Sequence, residues 1–149
     1  MLSISHSLTG AFLASRIPSP LFYVPAGLGS QYLEDWIPHW DVGTGLSSGK
    51  RKRSTAIGLE LVELAISVGL VYLFFQHGHA TIQYHVWAGA FVGLLPDFME
   101  APRNFLKWEP NFLKGLNNLH GLFHHSTPNM LFGLTPQVVV IMAIWFLRA

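Results

Sequence analysis

Apolar residues fall into five blocks separated by polar or proline-bearing breaks. Leu8–Ile17 is about three helical turns long and stops at Pro18-Ser19-Pro20, a proline pair that breaks a helix. Leu21–Trp36 follows, interrupted by Pro25 and by Gly27-Leu28-Gly29. Ala56–Phe75 is twenty residues long, enough to span a hydrocarbon core of about 30 Å. His85–Met99 is shorter, and Met130–Leu147 is again nearly full length. The pattern predicts an all-α chain: a polytopic integral membrane helix bundle of about four to five apolar helices, some short or re-entrant. Residues 1–149 read as one membrane domain.

The breaks between blocks set the topology. Asp41–Thr55 is rich in Gly and Ser and contains Lys50-Arg51-Lys52-Arg53. Gln76–Tyr84 is short and carries His77 and His79, while Ala101–Gly115 carries Arg103, Lys107 and Lys114. Basic loops beside membrane helices prefer the cytoplasm, so two loops select the same side. If the first two blocks form a hairpin, His6 and Asp35 lie at that face with the Lys/Arg loop. Ala56–Phe75 then leaves it, the His77 loop turns on the far side, and His85–Met99 returns. Asp97, Glu100 and the second basic loop come back to the first face. The threading predicts that four polar clusters, distant in sequence, converge there.

Composition agrees with a lipid environment. Charged residues make up 11% of the chain, against roughly 25% in a soluble domain, and the mean hydropathy is +0.36. A formal net charge of +1 excludes a strongly basic nucleic-acid binder. Absence of cysteine excludes disulfides and thiolate metal sites. The opening Met1–Ser7 lacks the basic region of a secretory signal, which predicts a retained, structural N-terminal segment.

Four clusters can carry chemistry. His6, near the start of the first apolar block, is by itself as readily an interfacial or capping residue as a ligand. Asp35 and His39 are i and i+4, a spacing that unites them on a continuing helix; Pro38 disfavours that continuation and predicts a turn that folds back. Carboxylate and imidazole suit a divalent cation such as zinc, while Trp36 and Trp40 also fit an interfacial aromatic belt. Asp97 and Glu100 share a helical face and follow a long apolar run, where an unpaired lipid-facing carboxylate is costly. His120 and His124 are i, i+4 on a predicted interfacial helix, the spacing that presents two imidazoles to one metal. A surface helix with exposed histidines is the plain alternative.

Glu60 and Glu63 lie three apart inside the block Ala56–Phe75, with Ser67 a turn further on. Ionisable groups in a membrane segment usually face the protein interior. At 1.5 Å per residue Glu60 is only about 6 Å below Ala56, close to the converging clusters. It can act as a ligand, a base or an orienting carboxylate, or simply bond Arg16 or snorkel. His77, His79 and His85 fall at the opposite end and read as a solvated turn. Lys50–Arg53 reads as a topology signal or anionic-lipid contact.

These motifs resemble the small membrane-bound metal-dependent hydrolases, the LexA-binding inner-membrane hydrolase-like group. His6-Ser7-Leu8-Thr9-Gly10 is similar to that family's N-terminal His segment, Leu95-Pro96-Asp97 to its Leu-Pro-Asp helix end, and His120 through His125-Ser126 to its His-rich segment. Gln31-Tyr-Leu-Glu-Asp35 resembles its remaining motif, with Gln31 where the family often has His. Gly121 replaces the usual Arg after the first His of the His-rich segment. Met99 stands at the second Asp of a Pro-Asp-x-Asp pattern, with Glu100 one residue later. The resemblance implies a hydrolase in a prokaryotic cytoplasmic (inner) membrane.

Together these features predict a divalent-metal site, zinc or alternatively manganese, at the cytoplasmic face. Its expected ligands are His6, Asp35, His39, Asp97, His120 and His124, with Asp41, Glu100 and His125 in reserve. Glu60 or Asp97 is the expected proton acceptor, and a phosphoester, such as a lipid headgroup, the expected substrate. Membrane lipids, a membrane-complex subunit or a second copy are the expected partners, and nucleic acid is not. The rival expectation is a non-enzymatic subunit whose clusters hold a structural metal or tie helix ends together.

Overall fold

A computed structural model describes residues 1–148. Six α-helices make up the fold: α1 (Ser3–Arg16), α2 (Pro20–Trp36), α3 (Arg53–Val71), α4 (Tyr84–Ala101), α5 (Asn111–Phe123) and α6 (Met130–Leu147). Single π-turns, Tyr72–Gln76 and Pro102–Leu106, extend α3 and α4. Among the described residues there is no strand, only an isolated bridge between His39 and Ser126.

The proline breaks act as the pattern predicts at residues 18–20: α1 ends at Arg16 and Pro20 starts α2, where a missing N–H costs nothing. Pro25 does not interrupt α2, contrary to expectation. It sits near the helix N-terminus, so only the bond to the Leu21 carbonyl is forfeited. α5 is the expected His-bearing helix for His120 only: it ends at Phe123, and His124, expected on the same helix, follows in extended backbone at its C-terminus.

Helix α1 is the hub, packed against α2, α3, α4 and α6. Its sequence explains this, because Ser3, Ser5, Ser7, Gly10, Ala11 and Ala14 are buried and too small to hold neighbours away. On α4, Gly89, Gly93 and Asp97 recur every four residues and share a face. A Cβ at Gly10 would lie 2.1 Å from the Gly89 carbonyl oxygen, and one at Gly93 would lie 2.3 Å from that of His6. This backbone contact delivers Asp97 to the neighbourhood of His6. At the other end, Leu8, Ala11, Val71, Phe75, Val86, Ala90 and Ile144 form the apolar core.

Two helices, Arg53–Gln76 and Met130–Leu147, are long and apolar enough to cross a membrane. Both are mostly uncovered: Leu61 is 62% exposed and Leu131 84%. Helix α6 is apolar on every side, a pattern that belongs inside a core or a bilayer. The other helices do not meet that measure, so length and composition supply two spans rather than four to five. At 1.5 Å per residue α1 reaches only about 21 Å, and its buried serines lower its hydropathy.

Candidate metal centre

Pro38 ends α2 and turns the chain so that residues 37–41 run beside the His-rich segment. His125 N donates to Asp35 O (3.0 Å), His39 N to His125 O (3.0 Å) and Thr127 N to His39 O (2.7 Å). Gln137 on α6 completes the seam, donating to Trp40 O (2.6 Å) and accepting from Leu2 N (2.8 Å). Arg51 closes the loop above, donating to Val42 O (2.6 Å) with its guanidinium 4.8 Å from the Trp40 ring.

This folding brings His6, Asp35, His39, Asp97, His120 and His124 to one place. Asp35 is at the centre. Its Oδ1 lies 3.1 Å from His6 Nε2 and 3.7 Å from His39 Nε2, and its Oδ2 lies 2.8 Å from His120 Nε2. Asp97 faces the same two rings, with Oδ2 3.9 Å from His6 Nε2 and Oδ1 3.6 Å from His120 Nε2. Asp41, held in reserve by the sequence reading, belongs to the cluster: its Oδ2 is 3.0 Å from His124 Nε2 and 3.4 Å from His39 Nε2. The Met1 amino group also contacts Asp35 and lies 2.9 Å from His6 Nε2. His125 points elsewhere, its Nδ1 2.7 Å from Phe123 O. His77 and His79 are exposed, at the end of α3 remote from Glu60 and Glu63.

The outward-facing imidazole nitrogens are also occupied. His6 Nδ1 lies 2.9 Å from Glu34 Oε2, His120 Nδ1 3.2 Å from Glu100 Oε2, and His39 Nδ1 2.9 Å from Ile37 O. The two carboxylate approaches are ion-pair contacts that fall outside hydrogen-bond alignment. Metal-ligating histidines present one nitrogen to the metal and are oriented through the other by a carboxylate or carbonyl. Spacing had offered Glu100 as a reserve ligand and passed over Glu34; both act from behind the rings. Thr9 Oγ1 donates to Glu34.

Electrostatics favour a cation here. Glu34, Asp35 and Glu100 lie in the last turns of α2 and α4, where the helix dipole disfavours negative charge. His39 is wholly buried, and its Nε2, aimed between Asp35 and Asp41, makes no hydrogen bond. Two groups of side chains could hold a metal ion, Asp35/His120/His124 and His39/Asp41/His124, with donor atoms within 4.8 Å of one another. Burial opposes protonation of His120, but Asp35, Glu100 and Asp97 outweigh it and raise its pKa to about 10. Burial likewise opposes protonation of His124, and Asp41 reverses the balance and raises its pKa. Asp41 is pushed up by burial but held well below the usual carboxylate range by His124 and the neighbouring His39.

Two cavities open onto the cluster. Helices α3 and α4 each pack on α1 but barely touch one another. The groove between them, about 230 Å³, has an apolar wall of Ile57, Leu61, Leu64, Phe98 and Phe105. Glu60 and Glu63 line the same groove, held by Ser3 through Oγ to Glu60 (2.6 Å) and N to Glu63 (3.2 Å). The second cavity, about 440 Å³, is rimmed by Arg51, Arg53, Arg103 and Lys107. Asp41, Glu100, Asn104 and His124 line both. Arg16, offered as a partner for Glu60, instead donates to Leu147 O at the far end of the bundle.

Gln137 and Ser3 escaped the sequence reading. A polar amide beside Pro136 in an otherwise apolar run was the available signal for Gln137; nothing marked Ser3. The chain matches no family model, no curated protein and no solved structure.

Proposed function

We propose that the protein is a membrane-embedded, metal-dependent hydrolase that cleaves a phosphoester of an amphiphile at the cytoplasmic face. The observation that carries this reading is the meeting of an apolar groove and a cationic basin at one edge of the His/Asp cluster. Arg53 and Lys107 attract a phosphate, beside an Arg103 whose guanidinium is paired with Glu100 and Glu109, and the groove between α3 and α4 takes a hydrocarbon tail. Imidazole and carboxylate donors suit zinc, with manganese as the alternative. The resemblance of the His6, Asp97 and His120–Ser126 motifs to the LexA-binding hydrolase-like group supports the same reading.

The His/Asp cluster would hold a divalent metal, which would lower the pKa of water and polarise the scissile group. Asp97, between His6 and His120, belongs to the metal's ligands, which leaves Glu60 as the proton acceptor. Hydrolysis then forms a P–O bond from the water oxygen and breaks the ester P–O bond. The water proton passes to Glu60 and on to the departing alkoxide, giving phosphate and an alcohol.

Orientation follows from charge. Seven of the nine Lys and Arg residues (Lys50, Arg51, Lys52, Arg53, Arg103, Lys107, Lys114) belong to the segments between α2 and α3 and from the end of α4 into α5, and only Arg16 and Arg148 to the far end. That asymmetry favours a cytoplasmic site. The hairpin α1–α2 and the proline-bearing α4 then enter the bilayer as short or re-entrant elements, with α1 packed against α3 and α6.

The test is phosphate release from hexadecyl phosphate in mixed micelles. Release is expected with zinc or manganese, abolished by chelation, and lowered on the order of 10²–10⁴-fold by Glu60→Gln with metal content unchanged. A fully metal-loaded protein that releases no phosphate from this or a diester analogue overturns the proposal. It would favour the rival, a scaffold in which ion pairs such as His6–Asp35 and His124–Asp41 tie helix ends together.

A further inference from the structure

We infer that the cluster is a two-metal centre in which Asp35 bridges the ions. The inference rests on the reading that the cluster holds a metal, and extends it to nuclearity and ligand assignment. Four ligands satisfy one zinc, and at metal–donor distances near 2.0–2.1 Å a tetrahedral set has donors about 3.3 Å apart. Seven side chains here offer inward donors, more than one ion can use.

The donors sort into two nests by distance. In the first, His6 Nε2 and His120 Nε2 each face both Asp35 and Asp97, at 2.8 to 3.9 Å. In the second, Asp41 Oδ2 lies 3.0 Å from His124 Nε2 and 3.4 Å from His39 Nε2. Asp35 Oδ1 approaches this nest as well, 3.7 Å from His39 Nε2. Both sets of separations bracket the tetrahedral edge. Asp35 is the carboxylate that approaches both nests, and His124 stands between them, with donor atoms within 4.8 Å of Asp35 and His120 as well as of His39 and Asp41.

The two nests differ in what occupies them in the folded chain. The first holds the Met1 amino group, against Asp35 and His6, and an ion there displaces it. In the second, the His39 ring stacks on the His124 ring, with centroids 4.8 Å apart. His39 Nε2, fully buried, approaches Asp41 Oδ2 at 3.4 Å and Asp35 Oδ1 at 3.7 Å but is aligned for a hydrogen bond with neither. A buried imidazole nitrogen without a partner is costly, and a cation between His39, Asp41 and His124 satisfies it. One ion in the first nest leaves that nitrogen orphaned. The second nest also lies on the open side of the cluster, since Asp41 and His124 line both cavities. Ions held a few ångströms apart suit phosphoester hydrolysis, where both the attacking and leaving oxygens need stabilising.

The experiment is metal stoichiometry by plasma mass spectrometry on detergent-purified full-length chain, dialysed against buffered zinc or manganese. Manganese-loaded samples are also read by electron paramagnetic resonance for exchange coupling. Wild type is expected to carry two equivalents and a coupled signal. Asp97→Asn and Asp41→Asn, each nearly isosteric, are each expected to fall to one equivalent with an uncoupled signal. Asp35→Asn is expected to lose the coupling. Circular dichroism confirms that each variant is folded.

One equivalent in wild type overturns the two-metal centre and leaves the hydrolase reading standing. Two equivalents that survive both Asp41→Asn and Asp97→Asn also overturn it, because the ions then lie elsewhere. No metal overturns both readings.

Discussion

Removing the metal should reverse how the protein's stability responds to pH. In the metal-free chain His120 is clamped between Asp35 Oδ2 at 2.8 Å and Glu100 Oε2 at 3.2 Å. Its pKa is raised from 6.5 to about 10. A folded-state pKa above the unfolded one gives a contribution that is complete below the unfolded value. That contribution is lost as pH rises through the folded value. Between pH 6.5 and 8.5 the folded ring keeps its proton and the unfolded ring loses it. The slope grows from half to nearly the full value of about 1.4 kcal/mol per pH unit as the unfolded ring deprotonates, so the loss is roughly 2.3 kcal/mol over the interval. At about 2–4 °C per kcal/mol for a chain of this size, Tm should drop by about 5–9 °C. Metal binding requires deprotonated imidazole and releases protons, so the loaded protein should hold or gain stability over the same range. Intrinsic tryptophan fluorescence during heating in detergent, with chelator or with zinc, measures both curves. Parallel pH dependence with and without metal would refute the assignment of His120 to the metal.

Two further perturbations separate the ligands from their supports. Glu34→Gln and Glu100→Gln leave every inward donor in place but loosen the His6 and His120 rings; zinc affinity should fall about 10–100-fold in competition with a fluorescent chelator, and an unchanged affinity would remove these carboxylates from the centre. Gly93→Ala puts a Cβ 2.3 Å from His6 O, whereas Gly58→Ala meets nothing within 4 Å; the first should cost about 1–3 kcal/mol and weaken zinc binding, the second should leave both intact, and equal Tm values would contradict the close α1–α4 contact.

Much of the cluster was legible because its signals are local. A carboxylate ending an apolar run (Asp97), imidazoles one turn apart (His120, His124) and a proline that turns the chain (Pro38) can each be read from neighbours in sequence. Alternation of apolar blocks with basic loops then indicates which helix ends share a face. What stayed hidden depends on contacts between distant segments. The pairing of His39 with His125 and Thr127 is a backbone seam between two non-helical strips, and it makes Asp41 a member of the cluster rather than a reserve. Which ring nitrogen faces inward depends on Glu34 and Glu100 standing behind, which spacing cannot express. Span counting was limited for another reason: α1 is buried through serine, glycine and alanine, so its depth in the fold comes from close backbone approach rather than hydropathy.

The distribution of charge argues that this end of the molecule is built for more than stability. Of the eight Asp and Glu residues, seven (Glu34, Asp35, Asp41, Glu60, Glu63, Asp97 and Glu100) belong to the cluster or line its groove. The eighth, Glu109, accepts from Asn117 and Arg103 nearby. Helix ends can be tied by apolar packing at no electrostatic cost, and replacing buried ion pairs with well-packed apolar groups is often neutral or stabilising. A chain in which only 11% of residues are charged has nevertheless gathered its carboxylates beside four buried or half-buried imidazoles. Three of those carboxylates, Glu34, Asp35 and Glu100, sit at helix ends whose dipoles repel them. The Met1 amino group and the imidazolium rings offset part of this charge, but the buried His39 Nε2 has only a 3.4 Å approach to Asp41 that falls outside hydrogen-bond alignment. A divalent cation removes both deficits at once, supplying positive charge to the carboxylates and a partner to His39. On this ground we propose that a metal completes the cluster, whose buried His/Asp groups could hold one, in preference to ion pairs that only hold the helices together.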